Sequence, residues 1–145
     1  MEDKQASVAL LNRLLAILCR SLPQYLRWSR PHVAPGETGV LETLGGIAND
    51  EDVLAQRVGA MIVDARALPR TGEFPMEFTD FHDLGLNFLV AAATRYQRQN
   101  AADIQQVVDR SESLPAVRAI AEEALGMAKG HLDALLELAS PVTAK

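Results

Sequence analysis

The sequence predicts an all-α protein, a bundle of four helices with a longer connection between the second and third. Three observations carry this expectation. Apolar residues recur at three- and four-residue spacing in four separate stretches. Segments containing Pro and Gly divide those stretches. Nowhere does the chain alternate apolar and polar residues with the two-residue period of a strand.

The first helix is expected over residues 5–29, where Leu11, Leu14, Leu18, Leu22 and Tyr25 share a face,. Pro23 lies inside it and should kink it, leaving the Cys19 carbonyl without its usual partner,. A turn from Pro31 to Gly36 follows. The second helix is expected over 38–68, capped by Thr38, with Leu44, Ile47, Glu51, Leu54, Val58, Met61 and Ala65 turned inward,. Gly45-Gly46 weakens its start by roughly 1 kcal/mol per glycine,. Residues 69–79 hold two prolines and a glycine and read as an ordered connection, because Phe74, Met76 and Phe78 are too apolar to hang in water. Asp80 should cap the third helix, 80–109, with Leu84, Phe88, Ala91 and Tyr96 inward,. The fourth, 114–139, carries Val117, Ile120, Ala124, Met127, His131, Leu135 and Leu138 on one line. Two short turns and one connection long enough to run along the bundle favour an order with one crossover, and an up-down-up-down order is the alternative.

Length and composition bound the function. The 145 residues fit one domain, 48% hydrophobic and 23% charged, an ordinary globular balance,. The net charge of −5 argues against a broad nucleic-acid interface, and Arg27, Arg30 and His32 form the one small basic cluster, read as a solvated helix end,. The single cysteine, Cys19, excludes an intramolecular disulfide and reads as a buried inert thiol,. The N-terminus lacks a signal-peptide pattern and no apolar run reaches ~18 residues, so no membrane partner is expected and the cytoplasm is the expected compartment.

Some of these residues form familiar strings. Leu11-Asn12-Arg13-Leu14-Leu15-Ala16-Ile17 with Gln24-Tyr25-Leu26 resembles the first helix of bacterioferritins. Ile62-Val63 through Leu68-Pro69 resembles the end of their second helix, and Gly130-His131-Leu132-Asp133 with Leu135 and Glu137 resembles their fourth. The resemblance implies a ferritin-like bundle, iron as cofactor and ferroxidation at a di-iron site in its core. Two iron ions need several carboxylates and imidazoles to balance them, one Glu from each of two helices and Glu-x-x-His from the other two.

Carried over position by position, most of that set is replaced. Leu18 stands for the first glutamate, and Leu54 for the first histidine. Asn87 stands near the third-helix glutamate, and Ala128 for the fourth-helix one. Glu51 and His131 are retained, and Asp52 stands where the haem-ligating methionine would be. The expectation is therefore a degenerate site with no cofactor, and a structural or interacting protein that self-associates, for example as a dimer. Glu51 and His131 are expected to pair in the core as a hydrogen-bonded remnant. The competing reading makes them, with Asn87, a reduced site for iron or a metal-dependent oxidoreductase. A small-molecule carrier is a third. Asp80, His82 and Asp83 offer two carboxylates and an imidazole within one turn, and helix capping accounts for both aspartates,. No nucleophile–base pair, phosphate loop or H-E-x-x-H string is present.

Overall fold

The computed structural model describes residues 2–29, 36–81 and 85–139. Within them the protein is all-helical. The helices are α1 (Glu2–Cys19), α2 (Leu22–Trp28), α3 (Thr38–Asp64), α4 (Leu86–Arg110) and α5 (Pro115–Ala139), with a 3-10 turn at Met76–Phe81 before α4.

The first helical stretch is two helices rather than one kinked rod. Ser21 leaves the helical conformation, and its hydroxyl accepts a hydrogen bond from the Gln24 N–H at 3.3 Å. Pro23 falls in the first turn of α2, where a missing N–H costs nothing,. Leu22, Pro23, Gln24 and Leu26 are buried, and the two helices meet at 49°. Among the described residues no single helix is long and apolar enough to cross a membrane. The α1–α2 pair reaches that length and apolarity only across its bend, and Leu11, Leu14, Leu18 and Leu22 lie within the protein's own core.

α3 runs through Gly45-Gly46 without a break, starts at Thr38 with no side-chain cap, and ends at Asp64, four residues before the expected limit of 68. Its end is closed by backbone bonds. The Ala67 N–H reaches the Ile62 carbonyl at 3.1 Å and the Arg66 N–H the Val63 carbonyl at 2.8 Å. Arg66 holds φ 61°, the left-handed position that this closure requires and glycine usually fills,.

The third long helix begins at Leu86, not Asp80. Residues 76–81 make a 3-10 turn instead, with Phe78 and Phe81 buried and Asp80 exposed. His82 and Asp83 lie outside the described residues, as do Arg30 and His32. The inward face of α4 also differs from expectation. Leu86, Leu89, Val90, Ala93, Gln97, Ile104 and Val107 are buried, whereas Phe88 is half exposed and Asn87 and Ala91 face solvent. α4 is continuous from Leu86 to Arg110.

Two apolar clusters fix which ends meet. One joins Leu11, Leu14 and Leu18 of α1, Leu54, Val58 and Ile62 of α3, Ile104 and Val107 of α4, and Val117, Ile120 and Ala124 of α5. The other joins Leu22 and Leu26 of α2, Leu44 and Ile47 of α3, Leu86 and Leu89 of α4, and Leu135 of α5. α3 and α4 therefore run in the same direction, and the chain between them must return along the molecule. Residues 65–81 do so beside α1 and α2. Asn12 accepts from the Arg70 N–H at 2.6 Å, and Arg20 donates to the Gly72 carbonyl at 2.9 Å and to the Thr71 hydroxyl at 2.8 Å. Phe74 and Phe78 then pack their rings against Tyr25. Gly72 sits at φ 73° with a side-chain position 3.5 Å from the Ala16 Cβ, so the strand of chain lies directly on α1.

Candidate functional site

Between the two apolar clusters the helices turn polar side chains inward at one level. On α3, Glu51 lies between Ile47 of one cluster and Leu54 of the other. On α5, His131 lies between Ala128 and Leu135. On α4, Thr94 and Gln97 follow Ala93, and Ser21 separates Leu18 from Leu22, with Gln24 one turn on. All six are buried. α3, α4 and α5 keep their apolar periods and turn polar residues inward at this level, and Ser21 and Gln24 join them from the α1–α2 break and α2, which makes it the natural place to look for chemistry,.

Glu51 is 3% exposed. Ser21 Oγ donates to its Oε1 at 2.6 Å. Burial pushes its carboxyl up to about 8, against the opposing hydrogen bonds from Ser21 and Gln24,. The group is therefore mostly neutral at pH 7. Gln24 Nε2 donates to the Ala48 carbonyl and to Asp52 Oδ1, both at 3.0 Å. Arg27 closes the network on the solvent side, its Nη1 2.6 Å from Asp52 Oδ2, with a further contact to Gln24 Oε1. Arg27 holds the Asp52 carboxyl below the usual carboxylate range, chiefly through these hydrogen bonds. The network thus ties α2 to α3 and leaves Asp52 occupied. Cys19 stands nearby, a half-buried free thiol pushed up by burial more than the Arg20 charge lowers it.

His131 is 9% exposed, and its Nε2 lies 2.8 Å from Asp50 Oδ2, an aspartate facing outward. The expected Glu51–His131 bond is thus replaced by two separate ones. Glu51 turns toward the α1–α2 break, and His131 toward the outer side of α3. On α4, Gln97 donates to the Ala128 carbonyl at 3.3 Å, and its Oε1 is buried with no partner. Thr94 satisfies itself on the Val90 carbonyl at 2.8 Å.

Of the positions singled out in sequence, Leu18, Leu54 and Ala128 lie together in the larger apolar cluster, each nearly inaccessible. Asn87 does not join them. It is exposed at the first turn of α4, and Gln97 is the α4 residue that reaches the Ala128 backbone. Among the described residues no three His, Cys, Asp or Glu side chains gather as a metal would require,. Ser21, Gln24, Thr94 and Gln97 are the buried polar residues at this level that the sequence does not single out. The string Ser21-Leu22-Pro23 carried a signal for the first, a capping hydroxyl before a proline in a helix's first turn,. Gln97 follows Leu86, Leu89/Val90 and Ala93 at helical spacing, a line hidden by the greater apolarity of Phe88.

No protein-family model, no curated protein and no solved structure matches this chain.

Proposed function

We propose that the chain is a ferritin-like four-helix bundle whose di-iron centre has been replaced by apolar packing, and that it acts as a structural or interaction protein that self-associates. The parallel run of α3 and α4, with the connection returning beside α1, supports the ferritin-like order over an up-down-up-down one,. The observation that carries the functional reading is the burial of Leu18, Leu54 and Ala128 in one continuous apolar cluster. Those are three positions at which the bacterioferritin resemblance asks for donor atoms. Leu18 and Leu54 put branched carbon, and Ala128 a methyl group, where donor atoms would be needed, and a core without charge is more favourable than one with unbalanced carboxylates,.

Anaerobic titration with ferrous iron followed by exposure to oxygen tests the reading. The expected outcome is no stoichiometric dinuclear iron and no rapid oxygen consumption. Two irons bound per chain with turnover would overturn it. One tightly held metal without turnover would favour the competing reading, a site rearranged around Glu51 and His131. That reading has the weaker support, because Glu51 is largely neutral at pH 7 and the two side chains bond to different partners.

A further inference from the structure

Four of the surface grooves formed by the described residues differ in charge. Three hold a carboxylate: Glu42 in one, Glu123 in another, and Asp133 with Glu137 in the third. The fourth, of about 640 Å³, has two cations on its walls and no carboxylate. That is the reverse of the chain as a whole, with its 19 acidic and 14 basic residues. Lys4 and Arg70 supply the charge, and neither forms an ion pair among the described residues.

The groove lies between α1 and the chain that leaves α3. Lys4, Val8 and Asn12 follow one another at steps of four along α1, so they share a face over about 12 Å,. Ala67, Leu68 and Arg70 make the opposite wall. The Asn12 amide fixes that wall to α1, donating to the Leu68 carbonyl at 3.4 Å and accepting from the Arg70 N–H at 2.6 Å. On the α3 side the Ala67 N–H bonds the Ile62 carbonyl at 3.1 Å. The N–H groups of residues 67 and 70 are thus spent, and Pro69 between them has none,. The Leu68 side chain is left 78% exposed. What the groove offers a ligand is therefore a fixed, mostly apolar surface and two free cations.

We propose that this groove binds a fatty carboxylate, its aliphatic chain laid on Val8, Ala9 and Leu68 and its head group on the cations. Arg70 suits the head, because a guanidinium meets both carboxylate oxygens with parallel N–H bonds. Lys4 adds a second positive charge without imposing a geometry. The tail supplies affinity in proportion to the apolar area it covers, and the cations select its charge. The volume lies within the range of small-molecule clefts. A neutral alcohol of the same length would gain the tail contacts without the head, and a short carboxylate the head without the tail. The site stands at the start of α1, whereas the polar level around Glu51 meets the end of that helix at Ser21, so the inference is independent of the iron reading.

Isothermal titration calorimetry of the full chain with decanoate, at concentrations where decanoate is monomeric, tests the proposal. The expected outcome is one saturable site that weakens as salt is added, as exposed ion contacts do. Decanol and acetate should each bind about tenfold more weakly or worse. Arg70→Gln should weaken decanoate binding severalfold, and Arg70→Lys less. Lys4→Gln combined with Arg70→Gln, and Leu68→Ser alone, should each weaken it about tenfold. Arg110→Gln with Lys129→Gln makes the same change in net charge outside the groove and should leave binding as it was. Lys4, Leu68 and Arg70 are exposed, so their variants should keep the circular dichroism and thermal midpoint of the parent. Absence of saturable binding would overturn the proposal. So would binding that survives the Arg70 and Leu68 substitutions, or that decanol matches. Affinity for anionic lipid vesicles without affinity for monomeric decanoate would also overturn it, assigning the cations to a lipid surface instead.

Discussion

At the scale of single residues, the informative positions are those where a polar atom was kept inside. Glu51 is ordinarily acidic at 4.5 and is held at about 8 in the folded chain. Below the lower value the carboxyl is neutral whether or not the chain is folded. Between the two, the unfolded chain releases a proton that the folded chain keeps. This group therefore lowers stability as pH rises, by up to about 1.4 kcal/mol per pH unit, until the loss is complete above pH 8. Glu51→Gln keeps an acceptor for the Ser21 hydroxyl and removes the charge. Its expected outcome is a more stable protein at pH 8, by several kcal/mol at most, with little change at pH 4. Urea denaturation of both proteins at the two pH values checks it, and a variant less stable than the parent at pH 8 would show that the carboxylate form is the one the fold uses. The unpartnered Gln97 oxygen belongs to the same class, a polar atom whose burial opposes folding,. Sequence reading found Glu51 and His131 because both sit on strongly periodic apolar lines. It misassigned their bonds because a helical period gives a direction of projection, not a partner. Glu51 found the hydroxyl that the α1–α2 break had freed from helical geometry, and no periodicity announces that.

At the scale of the element, the termini decided what could be read. The four long apolar periods were visible, and α3 and α5 carry nearly the core lines their spacing implies. Pro23 was visible as a disturbance but not as the start of a new helix, since the same residue either kinks a helix or opens one, according to whether a cap precedes it. The stretch before α4 misled for a similar reason. Asp80 with Asp83 has the composition of a helix start, yet Phe78 and Phe81, three residues apart, are better buried together on a 3-10 turn, where i and i+3 eclipse,. Asn87, expected inward, is exposed, and Gln97 is the amide that α4 turns toward the Ala128 backbone. The end of α3 offers a test of the opposite kind. Arg66 occupies a left-handed conformation that costs a residue with a Cβ roughly 1 kcal/mol,. Arg66→Gly should therefore raise the thermal midpoint, gaining about 0.5–1 kcal/mol, less the entropy that a glycine loses on folding. Calorimetry checks this, and a lower midpoint would mean that the Arg66 side chain contributes more than its backbone strain.

At the scale of the whole molecule, two apolar clusters lie on either side of a polar level, and α3, α4 and α5 each contribute to both. Leu14 belongs to one and Phe78 to the other, and both are almost fully inaccessible. Leu14→Ala and Phe78→Ala should each cost about 3–5 kcal/mol. Because α3, α4 and α5 are continuous through the polar level, both losses should appear in a single cooperative transition,. Two separate transitions in the thermal melt of either variant would show that the clusters fold apart. The course of residues 65–81 beside α1 has a kinetic consequence. α1 with α3, and α4 with α5, are hairpins of neighbouring segments and can form early from local contacts. Their docking is different, because the connection has to be laid along the groove of α1 and latched at Asn12, Arg20 and Tyr25 in turn. Cutting the backbone inside that connection would leave two pieces, one carrying α1 to α3 and the other α4 and α5, that recombine as a bimolecular complex. The speed of the final step would then depend on the concentration of the two pieces, and the intact chain's advantage over them would measure the effective concentration that the tether provides.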